Sequence, residues 1–518
     1  MAACPWKSAL AMRPRLAGGV TATRLAPMKS LAELCEQTLA IAPSRPAIEF
    51  NGTWRDWGEV QRLARDIRRL LSNSGAGGQG PVIFAPRNRP SALIAMLAML
   101  ADGRSVRMIH AYQSPAAIAA AVDRLDAAVA IMAEEDVTPE VRAVLQARGM
   151  AAIGLGEMTA RMIPGHEQGA PRPDAPGAPQ VEILTSGTTG PPKQFPISHQ
   201  VIAGFVLNQG MTMIEDPDEP PFLMSFPIGN ISGVYSLAAS LLRGKRVVLL
   251  DRFTVAGWRD FVVRYRPKAG GAPPAAVAMI LDADLPAEDL ASLKVFSTGA
   301  APLDPTVQRR FEEKYGIPIL LSYGATEFGG PVASMTPQLR TEWGEAKFGS
   351  VGRAMPGVQL RVRDPETDAI LGPGEEGILE IVSPRMGPEW IRTSDIAVID
   401  QDGFLFHRGR ADGAIMRGGF KVLPETIERA LLLHPAVSAA GVVGVADRRV
   451  SQTPGAVVEL KPGVAAPQVA ELEAHLRLHL PSTHIPAHWR FVEALPKNPS
   501  FKIDRPALKR LFEDEAAG

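Results

Sequence analysis

The sequence predicts an α/β fold: a large N-terminal domain of layered α/β subdomains with a small antiparallel β subdomain, then a small α+β C-terminal domain. Three observations predict it. From Ala47 to Ser322, short apolar runs alternate with helix-period segments, which is the pattern of a largely parallel sheet. Residues 349–407 switch to strict alternation broken by turns, the pattern of an antiparallel sheet. After Arg410 a fresh series of helices and strands begins. At 518 residues the chain is long enough for more than one core.

Apolar residues fall at helical spacing from Leu31 to Ile41. Ala47–Phe50 reads as a strand turned by Asn51-Gly52, a strong hairpin signal. Trp57 to Ser74 sets Val60, Leu63, Ile67, Leu70 and Leu71 on one helix face. Pro81–Ala85 is expected as a buried strand, Ala92–Ala101 as an apolar helix, Ala116–Leu125 as a helix and Ala127–Met132 as a strand. Pro and Gly crowd residues 165–180, an irregular connector. Beyond it, strands are expected at Phe222–Phe226, Arg246–Leu250, Leu293–Ser297 and Pro318–Ser322. Helices are expected at Val234–Leu242, Phe261–Arg266 and Pro305–Tyr315, with an apolar segment at Ala276–Leu281. Val358–Val362 and Gly377–Ile381 are the alternating strands. The last unit reads as helices Pro424–His434 and Val469–Leu478 with strands Ala439–Val445, Gly455–Leu460 and Arg490–Val492. The divisions that follow are 1–30, 31–409 and 410–518.

Composition narrows the function. Lys+Arg and Asp+Glu both number 55, which argues against a nucleic-acid partner. The longest uncharged apolar run, Pro90–Ala101, is too short to span a bilayer. Cys4 and Cys35 form no disulfide or metal pattern and fit a reducing, cytoplasmic setting. Before Glu33 stand Lys7, Arg13, Arg15, Arg24 and Lys29 with no acid. Transit peptides share that pattern with loose tails whose true start is later, at Met12 or Met28; residues 1–30 are read as a disordered extension. No oligomeric state is specified.

The chemistry concentrates in Thr185-Ser186-Gly187-Thr188-Thr189-Gly190-Pro191-Pro192-Lys193. Glycines let backbone N–H groups approach an anion, hydroxyls add donors, and the lysine adds a mobile charge, so a polyphosphate fits such a loop. The glycine-to-lysine spacing is not that of an ordinary P-loop. A plain Ser/Thr/Gly turn is the bland alternative. Further segments sit at strand ends, where open sheets bind ligands. Pro227–Gly233 has Asn230 at its tip. Gly299, Ala300 and Ala301 would let a flat ring lie against backbone. Tyr323 offers a stacking face, Thr326 a hydroxyl and Glu327 a hard oxygen ligand. Asp395 could accept from a sugar diol. Gly409–Asp412, Arg417–Glu425 and Pro496–Arg505 complete the set. Taken singly, Glu327 and Asp395 also fit turn or cap carboxylates, Asn230 a turn, Tyr323 the core and Lys502 a solvated charge.

In this order, these segments resemble the adenylate-forming superfamily of acyl-CoA synthetases, aryl-CoA ligases, nonribosomal adenylation domains and luciferases, over roughly residues 30 to 510. Thr185–Lys193 is similar to the family's phosphate loop, Tyr323–Glu327 to its adenine/magnesium segment and Thr393-Ser394-Asp395 to its ribose motif. Gly409–Asp412 is similar to its hinge and Pro496–Lys502 to its terminal lysine motif. The resemblance implies a small C-terminal domain that moves about Asp412. It implies ATP binding by Thr185, Ser186, Gly187, Thr188, Thr189, Gly190 and Lys193 on the phosphates. Gly299, Ala300, Ala301 and Tyr323 would take the adenine, Asp395 and Arg410 the ribose, and Lys421 the phosphate. Thr326 and Glu327 would serve catalysis, Glu327 by holding Mg²⁺, and Lys502 would bridge the attacking carboxylate and the α-phosphate. Gly418 and Gly419 would pass the pantetheine of coenzyme A. Asn230, Val234, Ser322, Gly324 and Phe328 would line the acyl pocket.

The resemblance therefore implies an ATP- and Mg²⁺-dependent carboxylic acid–CoA ligase working through an acyl-AMP. The alternatives are a ligase that loads an acyl carrier protein and a non-catalytic ATP- or acyl-binding relative. Three departures stand out. Asn230 replaces a frequent histidine, Ser394 replaces the ribose-motif glycine, and Phe501 replaces the glycine before the lysine. The region Ser225–Gly229 lacks the Phe-Asp pattern that holds an α-amino group, which argues against an amino-acid substrate. Small residues at 299, 300, 322 and 324 suggest room for an aromatic or medium aliphatic acid, with Phe328 closing one side.

Overall fold

The computed structural model describes residues 29–75, 80–172, 177–185, 193–208, 218–411, 413–417, 420–447, 451–498 and 502–513. The expected extension 1–30 therefore lies outside the description except for Lys29 and Ser30. Ser30 caps the helix Leu31–Leu39 in a reciprocal box with Glu33, and Asp56 does the same with Glu59 for the helix Trp57–Asn73. The helix Pro90–Ala101 starts with proline at its first position and is buried along its whole length. A helix apolar on every side must be a core element, and those two capped helices pack on it.

Among the described residues, five sheets form. The largest runs in the order 160–162, 151–155, 129–133, 82–85, 106–108, 180–185, 193–198; its interior pairs are parallel and both edge pairs antiparallel. A second joins 222–224, 247–249, 46–50 and 53–56. A third joins 269–271, 295–298, 319–325, 330–334 and 353–354, parallel on one side and antiparallel on the other. Strands 359–363, 376–382, 391–399 and 405–410 make a wholly antiparallel sheet. The last sheet takes 415–417, 420–422, 437–447, 451–460 and 488–492. It packs on the helices Pro424–Leu432 and Val469–Arg477.

Several elements differ from the sequence expectation. Ala276–Leu281 lies in the helix Pro274–Asp282; a run that short shows no period. The helix expected at Phe261–Arg266 starts earlier, as Val255–Tyr265, because Thr254 caps it, and Arg266 ends it at φ 43°. The strand expected at Phe222–Phe226 stops at Met224. The chain from Thr185 does not run directly toward the helix His199–Asn208. An intervening strand, Lys193–Ser198, folds back on Gln180–Thr185.

Candidate active site

Thr185 and Lys193 face each other across this antiparallel pair. The strands on either side of the proposed phosphate loop are thus paired antiparallel. Ser186, Gly187, Thr188, Thr189 and Gly190 lie outside the described residues, as do Asp412, Gly418 and Gly419. Lys421 is in the strand Phe420–Val422, opposite Met416.

Strands 295–298 and 319–325 run parallel, Thr298 pairing with Leu321, and the second continues to Ala325. Gly299 follows the first; a Cβ there would lie 2.3 Å from Ser322 Oγ. A Cβ on Gly324 would lie 2.5 Å from the Gly330 carbonyl oxygen. Close backbone approach therefore requires both glycines. The sequence expectation that small side chains here measure room for an acyl group is corrected: at these two positions the space is already filled. Ala300 is held at φ 67°, a left-handed conformation that costs a non-glycine residue about 1–2 kcal/mol. Ala301 follows it, half-buried.

The short turn Thr326–Phe328 continues from Tyr323 and presents Thr326 and Glu327. Among the described residues, Glu327 makes no hydrogen bond or ion pair, so its oxygens are open to a ligand. Phe328 is buried in a small core with Val332, Leu379 and Ile381, its ring 6.0 Å from that of Tyr323. Asn230 caps the helix Ile231–Ala239, its Oδ1 accepting from Gly233 N at 2.9 Å. Val234 is buried on that helix.

The tightest constellation surrounds Asp395. The Tyr323 hydroxyl donates to its Oδ2, and His407 Nε2 stands 3.3 Å from its Oδ1. The His407 ring lies 5.9 Å from the Tyr323 ring, at 30°. Burial alone would raise the Asp395 carboxyl, but hydrogen bonds and charge from His407, with help from Tyr323 and Arg410, hold it below the usual aspartate range. Burial, then the Asp395 charge, raises the Tyr323 phenol well above its ordinary value. Arg410, directly opposite Asp395 on the next strand, donates to Ser394 Oγ at 2.5 Å. The serine that replaces the motif's glycine thus gains a partner.

Lys502 comes from the far end of the chain. Its N–H donates to Asn498 Oδ1 at 3.0 Å, and Asn498 N–H donates back to the Lys502 carbonyl at 2.8 Å. The side chain is exposed, yet neighbouring protein takes water from its ammonium. That loss, then the charge of Arg410, lowers its pKa, while Asp395 and Glu327 pull the other way. The three side chains that act on it are residues the sequence assigns to the nucleotide. Arg505 anchors this segment: its guanidinium donates to Glu428 Oε1 and Glu425 Oε1, both at 3.0 Å, and to the Val442 carbonyl at 2.6 Å.

The structure thus gathers Tyr323, Glu327, Asp395, Arg410 and Lys502 and adds His407, which the sequence did not single out. Among the described residues, no helix is long and apolar enough to cross a membrane.

Comparison with known proteins bears on the family. The AMP-binding enzyme family matches residues 35–389, and the AMP-binding enzyme C-terminal domain matches 426–502. The chain is 31% identical over 350 residues to the peroxisomal OPC-8:0-CoA ligase 1 of Arabidopsis thaliana, covering 64% of this chain and 63% of that protein. It is 28% identical over 405 residues to the fatty acid–[acyl-carrier-protein] ligase ScoC of Streptomyces coeruleorubidus, covering 74% and 78%. The fold matches that of ATP-bound MatB from Rhodopseudomonas palustris with a TM-score of 0.78 at 22% identity, over 93% of this chain and 99% of that one. Matched by the family over most of its length, the chain belongs to the AMP-binding enzymes.

Proposed function

We propose that the protein is an ATP-dependent carboxylic acid–CoA ligase. The observation that carries this reading is Lys502, delivered from the C-terminal segment into electrostatic reach of Glu327, Asp395 and Arg410. A ligand that explains one cation beside two carboxylates and a guanidinium carries both a diol and a phosphate, as a nucleotide does. Asp395, kept ionised, accepts from the ribose hydroxyls. Tyr323 and His407 hold that carboxylate in place. Glu327, which has no competing partner among the described residues, fits a Mg²⁺ ion as a hard oxygen ligand, and bound metal would neutralise phosphate charge.

In the first step a carboxylate oxygen of the acid bonds to the α-phosphorus, and the bond to the β-phosphate breaks, releasing pyrophosphate. Two anions must meet, so alignment and charge neutralisation by Lys502 and Arg410 are the protein's main contribution. In the second, the thiolate sulfur of coenzyme A bonds to the acyl carbon and AMP leaves. A different face of the small domain serves that step if residues after Arg410 turn about Asp412. Cys35, a buried free thiol, fits a reducing compartment, and we place the protein in the cytoplasm.

Pyrophosphate release over a panel of acids, with thioester formed only when CoA is present, tests the reading. Turnover without CoA consumption refutes it. A second reading, transfer to an acyl carrier protein, draws on the likeness to ScoC. Thioester on a holo-carrier but not on CoA would decide for it.

A further inference from the structure

Beyond Glu327 the chain turns through Gly329 and Gly330 into the strand Gly330–Ser334. Two side chains support this turn. Tyr235, next to Val234 on the helix capped by Asn230, donates from its hydroxyl to the Gly329 carbonyl at 2.6 Å. Its ring covers Gly330, where a Cβ would lie 2.7 Å from Cε2, and leans on Phe205 with centroids 4.3 Å apart. The other is Arg385, just past the strand Glu376–Val382, whose Nη2 donates to the Pro331 carbonyl.

Arg385 is short of partners. A guanidinium has five N–H donors. Here the Pro331 carbonyl takes a donor from Nη2, Nε is buried without a partner, and among the described residues no carboxylate meets the group. Several other covered arginines meet a carboxylate: Arg87 with Asp136, Arg340 with Glu312, Arg361 with Glu380. Burial lowers the Arg385 pKa, opposed among the described residues by the Tyr235 phenol. Covering a cation without a counter-ion is costly, and an anionic ligand group removes that cost. The location bears on which ligand. Asp395 and His407 meet Tyr323 on the nucleotide side, whereas Arg385 meets Gly329 and Pro331, beside the helix that carries Asn230 and Val234.

The geometry points to Arg385 as the recognition site for a second anionic group, a carboxylate or a sulfonate, at the end of the acid remote from the reacting carboxylate. This rests on the ligase reading above. The substrate class is then an acid with an anionic tail, and a neutral-tailed analogue leaves the guanidinium uncompensated.

The test compares hexanoate with adipate and 6-sulfohexanoate, and benzoate with terephthalate, by pyrophosphate release and CoA thioester formation on the full chain. The expected result is higher kcat/KM for the anionic-tailed member of each set; the better of adipate and 6-sulfohexanoate identifies carboxylate or sulfonate. Arg385→Gln should lower kcat/KM for the anionic-tailed acids by roughly 30-fold or more. It should leave the neutral-tailed acids within about threefold, and Arg385→Lys should recover part of the loss. Arg385→Gln also removes the hydrogen bond to the Pro331 carbonyl, so its thermal midpoint is measured alongside, and a midpoint near that of the natural chain separates recognition from support of the turn. Turnover favouring neutral tails, or an equal loss on both series in Arg385→Gln, overturns the site while sparing the ligase. Absence of pyrophosphate release with every acid overturns the ligase reading and the site with it.

Discussion

His199 shows how a single buried side chain sets a pH limit. It opens the helix His199–Asn208, is buried, and among the described residues leaves Nε2 without a hydrogen-bond partner. Burial pulls its pKa from the ordinary 6.5 down to about 4, against a hydrogen bond to the Arg104 backbone. The unfolded chain therefore takes up a proton that the folded one refuses. The stabilisation is fully present above the unfolded value and is lost as pH falls from about 6.5 toward 4, on the order of 3 kcal/mol in all. Denaturant midpoints measured across that range should fall less steeply for His199→Gln than for the natural chain. Equal slopes would mean that the ring is solvated.

At the scale of elements, the proposed active site depends on a β-bulge. Ala397 pairs with His407 and Ile396 with Gly409, so Arg408 is the extra residue. In a regular strand, residues 407 and 410 point to opposite faces. The bulge brings both to the face of Asp395, a known use of such irregularities. His407→Phe keeps the ring beside Tyr323 and removes the nitrogen near Asp395. Its KM for ATP should rise by roughly tenfold, about the worth of one charge-assisted hydrogen bond, with kcat little changed. An equal fall in kcat for all substrates would point to a folding role instead. Strict alternation cannot reveal a bulge, which is why Asp395 and Arg410 were legible in the sequence and His407 was not. The helix Pro90–Ala101 was legible because its apolar run exceeds what a strand needs. The pair Gln180–Thr185 and Lys193–Ser198 was half legible, since Pro196 interrupts the second strand and hides it. Gly299 and Gly324 read as space from sequence alone; only the partner backbone shows that they are contact points.

Across the whole molecule, the site joins residues from distant parts of the chain. Glu327 follows a strand of one sheet, Asp395 and Arg410 belong to another, and Lys502 precedes the helix Arg505–Glu513. Arg505 fixes that helix start to Glu425 and Glu428 on the helix Pro424–Leu432. Arg505→Ala leaves covered carboxylates unpaired, a loss of about 3–5 kcal/mol for a buried pair. Because Arg505 is itself about a third exposed, the lower end applies. Adenylation should slow in this variant more than nucleotide binding weakens, as Lys502 loses its placement. Unchanged adenylation in a folded Arg505→Ala protein would show that the clamp does not position the lysine.

In the proposed reading, Lys502 completes an adenylation centre built on the N-terminal sheets. The most direct measurement is acid-dependent isotope exchange between pyrophosphate and ATP in Lys502→Ala, alongside thioester formation from pre-made acyl-AMP and CoA. Loss of one preorganised cation at the transition state should cut the exchange by about 10²–10³ while the thioester step survives. Exchange at the natural rate would contradict the account.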